Sequence, residues 1–148
     1  MIRHATIEDA SRIAEISIFS KRTNYRDIFH DDQVSFGEMQ VYPLVLEYLE
    51  PGALDNFFVY DDGFVKGFMH LEVPEVVEMY VDPFFVGQGI GTRFFDLAIG
   101  EYGCDRLWVL EKNEKAKRLY RRIGFRESGA RELQPGTPEY IIEMKLGV

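Results

Sequence analysis

The chain has 148 residues, 46 % apolar and 28 % charged, a mixture that folds and is incompatible with intrinsic disorder. A chain of this length buries about two-thirds of the surface it exposes when unfolded, so no metal or disulfide staple is required. With 17 basic against 25 acidic side chains the net charge is −8, the wrong sign for gripping a nucleic-acid backbone. A cationic small molecule or a basic peptide suits that field better. Cys104 is the only cysteine, which excludes an intrachain disulfide and a cysteine-built zinc cage. The opening MIRHATIEDASRI carries charges every few positions and no apolar stretch of signal-peptide length. No run of about 18 apolar residues occurs anywhere, so the expectation is a cytoplasmic protein without a membrane partner.

Residues 1–5 read as a short strand. Thr6 and Asp9 form a capping-box pattern ahead of a helix in which Ala10, Ile13, Ala14, Ile16 and Ile18 mostly share one face, ending near Phe19. Residues 20–33 are polar and aromatic without a period and read as loop. A second helix is expected over 34–49, with Pro43 kinking or dividing it. After Pro51-Gly52, residues 56–60 and 64–71 form a hairpin about Asp61-Asp62-Gly63. Val76 to Val81 is a further strand, followed by Val86-Gly87-Gln88-Gly89-Ile90-Gly91-Thr92 and a helix from Arg93 to Tyr102. Arg106 to Leu110 is a buried strand, Glu114 to Ile123 an amphipathic helix stopped by Gly124, and strands open at Phe125 and span Glu139 to Leu146. No linker, repeat or low-complexity tract divides residues 1–148, which read as one α/β domain.

Gly87, Gly89 and Gly91 lie between a strand and a helix, where backbone N–H groups and the helix dipole hold phosphate. Taken alone, such a triplet reads first as a plain turn. It is not a Walker A loop, because Gly91-Thr92-Arg93 supplies no Gly-Lys-Ser/Thr. It is not a dinucleotide fingerprint either, because Thr92 stands where the third glycine belongs, Asp105 comes too early and on the wrong side of the next strand, and too little chain follows the loop for a dinucleotide fold. Alone, Asn113 is a helix N-cap and Tyr120 a core aromatic.

Together, the run VVEMYVDPFFVGQGIGTRFF, a buried strand and the pattern N-x-x-A-x-x-x-Y-x-x-x-G-F resemble the GNAT superfamily of N-acetyltransferases over residues 76–125, and the order of elements extends the resemblance over the chain. The resemblance implies a mixed sheet of six to seven strands flanked by about four helices, with splayed parallel strands forming a cleft for acetyl-CoA. It implies that the backbone of Met79, Tyr80 and Val81 pairs with the pantetheine arm. Gly87, Gln88, Gly89, Ile90, Gly91 and Thr92 surround the pyrophosphate, and Asn113 contacts the cofactor arm. The family pattern usually begins this loop with Arg or Gln, where this chain has Val86, and Gln88 stands where Lys or Arg is common. Arg93 and the basic residues Lys112, Lys115, Lys117, Arg118, Arg121 and Arg122 are candidate compensations, although that basic run reads more simply as a solvated surface.

The implied chemistry is direct attack of a neutral primary amine on a thioester, without metal or covalent enzyme intermediate. Developing negative charge needs N–H donors, and the departing thiolate needs a proton. Tyr120 fits the second role by resemblance, since a phenol with a pKa of about 10 can protonate a thiolate of about 8.5. Glu78 is the candidate general base: alternation places it with Val76 and Tyr80, and burial would raise its pKa. An exposed acid on a half-solvated strand is the equal alternative. Glu72, Glu75, Glu111, Glu143 and a water relay are weaker ones. His4, His30 and His70 are scattered and read as structural or exposed. The acceptor wall is expected from Tyr25, Phe29, His30, Phe36 and Tyr42 with Asp27, Asp31 and Asp32, of which Tyr25 and Phe29 are the substrate-binding candidates. A homodimer is compatible with this reading, as are a non-catalytic acyl-CoA-binding module and transfer of a longer acyl group.

Overall fold

A computed structural model describes residues 1–29 and 40–147, with side chains for 1–23 and 40–147. The expectations placed on His30, Asp31, Asp32, Phe36 and the 34–39 helix segment lie outside the described residues, as do the side chains of Tyr25, Asp27 and Phe29. Strand β2 (Phe57–Asp61) shows how the layers are set. Phe57 and Val59 enter one core and Phe58 and Tyr60 the other, so this strand is buried on both faces by alternation alone. The sheet has seven strands in the order β1-β2-β3-β4-β5-β7-β6, where β1 is Ile2–His4, β3 Val65–Glu72, β4 Glu75–Val81, β5 Arg106–Leu110, β6 Phe125–Leu133 and β7 Tyr140–Leu146. Among the described strands only β4 and β5 run parallel.

Helices α1 (Ala10–Phe29) and α2 (Val41–Tyr48) cover one face of the sheet. Helices α3 (Ile90–Gly100) and α4 (Glu114–Ile123) cover the other, where Phe94, Phe95 and Ala98 pack on Met69, Leu71 and Leu107. Among the described residues no helix is long and apolar enough to cross a membrane.

Helix α1 continues ten residues past the expected end at Phe19. Its buried stripe does not stop there but turns polar: Ser17 and Ser20 are buried, and Lys21 reaches strand β4. A periodicity read from apolar residues loses the helix at that point. Pro43 does not kink α2, because it occupies the first turn, where an N–H has no intrahelical partner to lose. The Thr6–Asp9 motif forms as read: the Thr6 N–H donates to Asp9 Oδ2 at 2.8 Å, and Arg3 pairs with the same carboxylate.

Candidate active site

Strand β4 is joined to β3 along its length, but to β5 only at Glu75–Arg106 and Val76–Leu107. The reason is a bulge. Opposite β3, His70 faces Glu78 and Leu71 faces Val76, so Val77 is an extra residue. An unmatched residue bends its strand and sharpens the twist, and from Val77 onward β4 and β5 part. The parting leaves an unpaired β4 edge over 77–81 and opens a cleft of about 840 Å³.

The bulge also overturns one expectation. Glu78 does share a face with Tyr80, but Val76 is on the opposite one. Val76 packs with Met69 and Leu71 under α3, whereas Glu78 contacts Lys21 and His70 on the α1 side. Met79 lies on the α3 side, so the edge presents Glu78 and Met79 to opposite walls.

Glu78 Oε2 lies 3.3 Å from Lys21 Nζ and Oε1 lies 3.8 Å from His70 Nδ1. Burial pushes this carboxyl up, but its interactions with His70 and with the Lys21 ammonium together hold it below the usual glutamate range. The expectation that burial would raise it is therefore reversed by its neighbours Lys21 and His70. Lys21, expected in a loop, is brought in by the extension of α1.

At the other end of the cleft lies the glycine turn. Asp82 caps a short 3₁₀ turn, Pro83–Phe85, by accepting from the Phe84 N–H at 2.9 Å, and its second oxygen pairs with Arg12 at 2.5 Å. The Arg12 Nε–H donates to the Val65 carbonyl at 2.8 Å, which ties α1, β3 and the loop together. Gly89, at φ +80°, is the N-cap of α3, and the first backbone bond of the helix is from Arg93 N–H to the Gly89 carbonyl. The N–H groups of Ile90, Gly91 and Thr92 therefore belong to the open first turn, where the helix dipole favours an anion. A Cβ on Gly91 would stand 3.1 Å from Met79 Cε and 3.5 Å from Leu119 Cδ2, so a side chain here would press on the cleft wall.

Glu78, Met79, Tyr80, Val81, Gly87, Gly89, Ile90, Gly91, Thr92, Asn113 and Tyr120 all border this one cleft. Gln88 is exposed and is not part of its wall. Asn113 caps α4 by accepting from the Ala116 N–H at 3.2 Å. The Tyr120 ring packs edge-on to Phe95 at 5.5 Å. Arg93 does not compensate for Val86: it bonds the Tyr60 hydroxyl and is not a cleft residue. The basic run divides in a way the sequence did not show. Lys115, Arg118 and Arg122 border the cleft, whereas Lys117 is buried against Glu114 at 3.0 Å and Lys112 pairs with Glu139. Trp108 and Gln134 also border it, and neither had a motif to mark it. Tyr42 is 71 % exposed, on α2.

The unpaired β4 edge offers amide-spaced donors and acceptors, the α3 N-terminus offers converging N–H groups, and Arg118 and Arg122 border the same cleft. A long molecule with amide links and a diphosphate, such as an acyl-CoA, fits that donor set. Among the described residues no three His, Cys, Asp or Glu side chains are grouped to hold a metal.

This mixed seven-stranded sheet, parted at its parallel pair above a glycine turn, shares its fold with solved N-acetyltransferases. The family model described as acetyltransferase (GNAT) domain matches residues 53–127, half of the chain, and the chain belongs to that family. It is 39 % identical over 78 residues to an uncharacterised N-acetyltransferase of Methanocaldococcus jannaschii, covering 49 % of this chain and 34 % of the relative. The chain spans about a third to a half of the length of the curated relatives it matches. In fold it is similar to the apo form of YjaB from Escherichia coli, with a TM-score of 0.80 at 20 % identity over 99 % of this chain and 97 % of that one. It is also similar to the PaiA N-acetyltransferase of Thermoplasma acidophilum, solved in complex with coenzyme A, with a TM-score of 0.66 at 20 % identity over 98 % of both chains.

Proposed function

We propose that residues 1–148 form one acetyl-CoA-dependent N-acetyltransferase domain that moves an acetyl group to a primary amine by direct attack in a ternary complex. The observation that carries this reading is a single cleft bounded by the glycine turn, Tyr120 and Glu78. Bound acetyl-CoA would supply the activated acyl group as a thioester. The α3 first turn, with Lys115, Arg118 and Arg122 from the same cleft, would hold the phosphates, and the β4 edge over 79–81 would align the amide arm. Backbone N–H groups of that edge would face negative charge as it develops. Glu78, kept ionised by Lys21 and His70, would accept the proton of the incoming amine. Tyr120 would hold a proton at its hydroxyl for the departing sulfur. Tyr25 and Phe29 remain the proposed acceptor contacts.

Calorimetric titration with acetyl-CoA, free CoA and ATP tests the first half of this reading. Micromolar binding of acetyl-CoA with ATP silent supports it, and folded protein that ignores acetyl-CoA refutes it. CoA release with a panel of amines tests the second half. Binding without release from any amine identifies the non-catalytic module instead, and competition by succinyl-CoA reports preference for a longer acyl group.

A further inference from the structure

We propose that His70 carries the acceptor's proton from Glu78 to solvent, acting through Glu78 and not on the amine itself; this rests on the acetyltransferase reading above. The bulge at Val77 aligns Phe57, His70 and Glu78 as direct neighbours across three successive strands. The imidazole stacks on Phe57 with centroids 4.2 Å apart and planes 13° apart, which fixes the ring plane. Held so, the ring places Nδ1 3.8 Å from Glu78 Oε1 and Nε2 3.9 Å from Glu72 Oε1. Glu78 borders the cleft, and the side chain of Glu72 is 70 % exposed. One imidazole therefore spans the distance between a carboxylate in the site and a carboxylate in water.

Glu78 by itself is a poor final holder of a proton, because His70 and Lys21 stabilise its ionised form. A proton taken there must move on before the next turnover. Lys21 offers no exit, being an ammonium paired to the same carboxylate. Imidazole is the side chain that gains and loses a proton near neutrality. The steps balance in protons. The ammonium N–H breaks, its electron pair stays on nitrogen, and an O–H forms on Glu78. On the tautomer that carries its hydrogen at Nε2, that O–H breaks as Nδ1–H forms when the two groups close to hydrogen-bond distance. The resulting imidazolium releases its Nε2 proton past Glu72 to water, and exchange of the ring proton with water restores the starting tautomer. Facing this ring are Glu78 and Glu75 from β4, Glu72 from β3, Phe57 from β2, Lys21 from α1 through Glu78, and Tyr48 from α2, edge-on to Phe57 at 5.4 Å.

The test pairs kinetics with a spectroscopic readout. His70→Phe keeps a ring against Phe57, and His70→Gln keeps a hydrogen-bonding side chain beside Glu78. Both should lower kcat about tenfold or more at pH 7 while the KM for acetyl-CoA stays within about twofold. The deficit should shrink as pH rises, and added imidazole should restore part of the rate. A rate and pH profile equal to the wild type overturns the proposal, and so does a pH-independent loss that imidazole does not relieve. In the ligand-free protein, nitrogen NMR should show the His70 Nδ1 resonance moving in Glu78→Gln and the Nε2 resonance moving in Glu72→Gln. If neither moves, the ring is coupled to neither carboxylate and the relay is wrong, with the acetyltransferase reading intact. If the wild type neither binds acetyl-CoA nor releases CoA with any amine, that reading falls first and the relay falls with it.

Discussion

Alanine at Gly89 and alanine at Gly91 should damage different properties, although the two glycines are two residues apart. Gly89 sits at φ +80° with nothing within 4 Å of an added Cβ. The whole penalty of Gly89→Ala is therefore left-handed backbone strain, about 1–2 kcal/mol, which for a domain of this size lowers Tm by about 2 to 8 °C. Gly91 is helical, so alanine there gains up to about 1 kcal/mol of helix preference. Against that gain stands the 3.1 Å approach to Met79 Cε, the far end of a flexible side chain that can give way. The net effect of Gly91→Ala on stability should be within about 1 kcal/mol of zero. Its methyl nonetheless enters the wall formed by Met79 and Leu119, beside the open N–H groups of α3. Affinity for CoA should fall at least tenfold, about 1.4 kcal/mol. Thermal unfolding and calorimetric titration of both variants measure the two quantities. Gly91→Ala that binds CoA like the wild type would refute the assignment of the α3 N-terminus to the phosphates. Gly89→Ala with an unchanged Tm would refute the strain argument.

Tyr120→Phe keeps the edge-on packing on Phe95, so CoA affinity should hardly move while steady-state kcat falls about 100-fold or more. An unchanged kcat would remove Tyr120 from the chemistry. Val86→Arg restores a cationic donor at the mouth of the glycine turn and should tighten CoA binding about three- to tenfold, an effect that weakens with salt in calorimetry. Asp9→Ala leaves the Thr6 N–H and Arg3 without their shared acceptor, which should cost about 1–3 kcal/mol at neutral pH by urea unfolding. Burial raises the Asp9 carboxyl, but Arg3 and Thr6 more than offset it and hold it below the ordinary aspartate value. Its contribution is thus present above about pH 4 and is lost as pH falls further. Wild type and Asp9→Ala should accordingly converge in strong acid, and a gap that stays constant down to low pH would contradict the assignment.

What could be read from the sequence follows from where local signals suffice. Helix α4 has the expected bounds because Asn113 caps it and Gly124, at φ +128°, ends it. The hairpin of β2 and β3 and the strand 106–110 were legible because both faces are apolar and turn residues bracket them. Helix α1 was cut short because Ser17, Ser20 and Lys21 continue its buried face with polar atoms, which a hydrophobic period cannot register. The basic run on α4 looked uniform in sequence, yet neighbouring residues go to the cleft, to Glu114 and to solvent. Only the packed helix distinguishes them.

The bulge at Val77 was the least legible feature and the one on which most of the site depends. In VVEMYV the extra residue is itself β-branched, so nothing in the strand signal marks it. In a regular ladder Val76 and Glu78 would share a face, which would place Glu78 under α3 among Met69 and Leu71, an apolar core with no cation. With the extra residue, Glu78 emerges on the α1 side opposite His70 and within reach of Lys21. The same bend ends the pairing of β4 with β5 after Val76 and frees the edge that lines the cleft. An opened sheet and an ionised carboxylate beside it are thus two results of one inserted residue. A change that removed the bulge would be expected to remove both together.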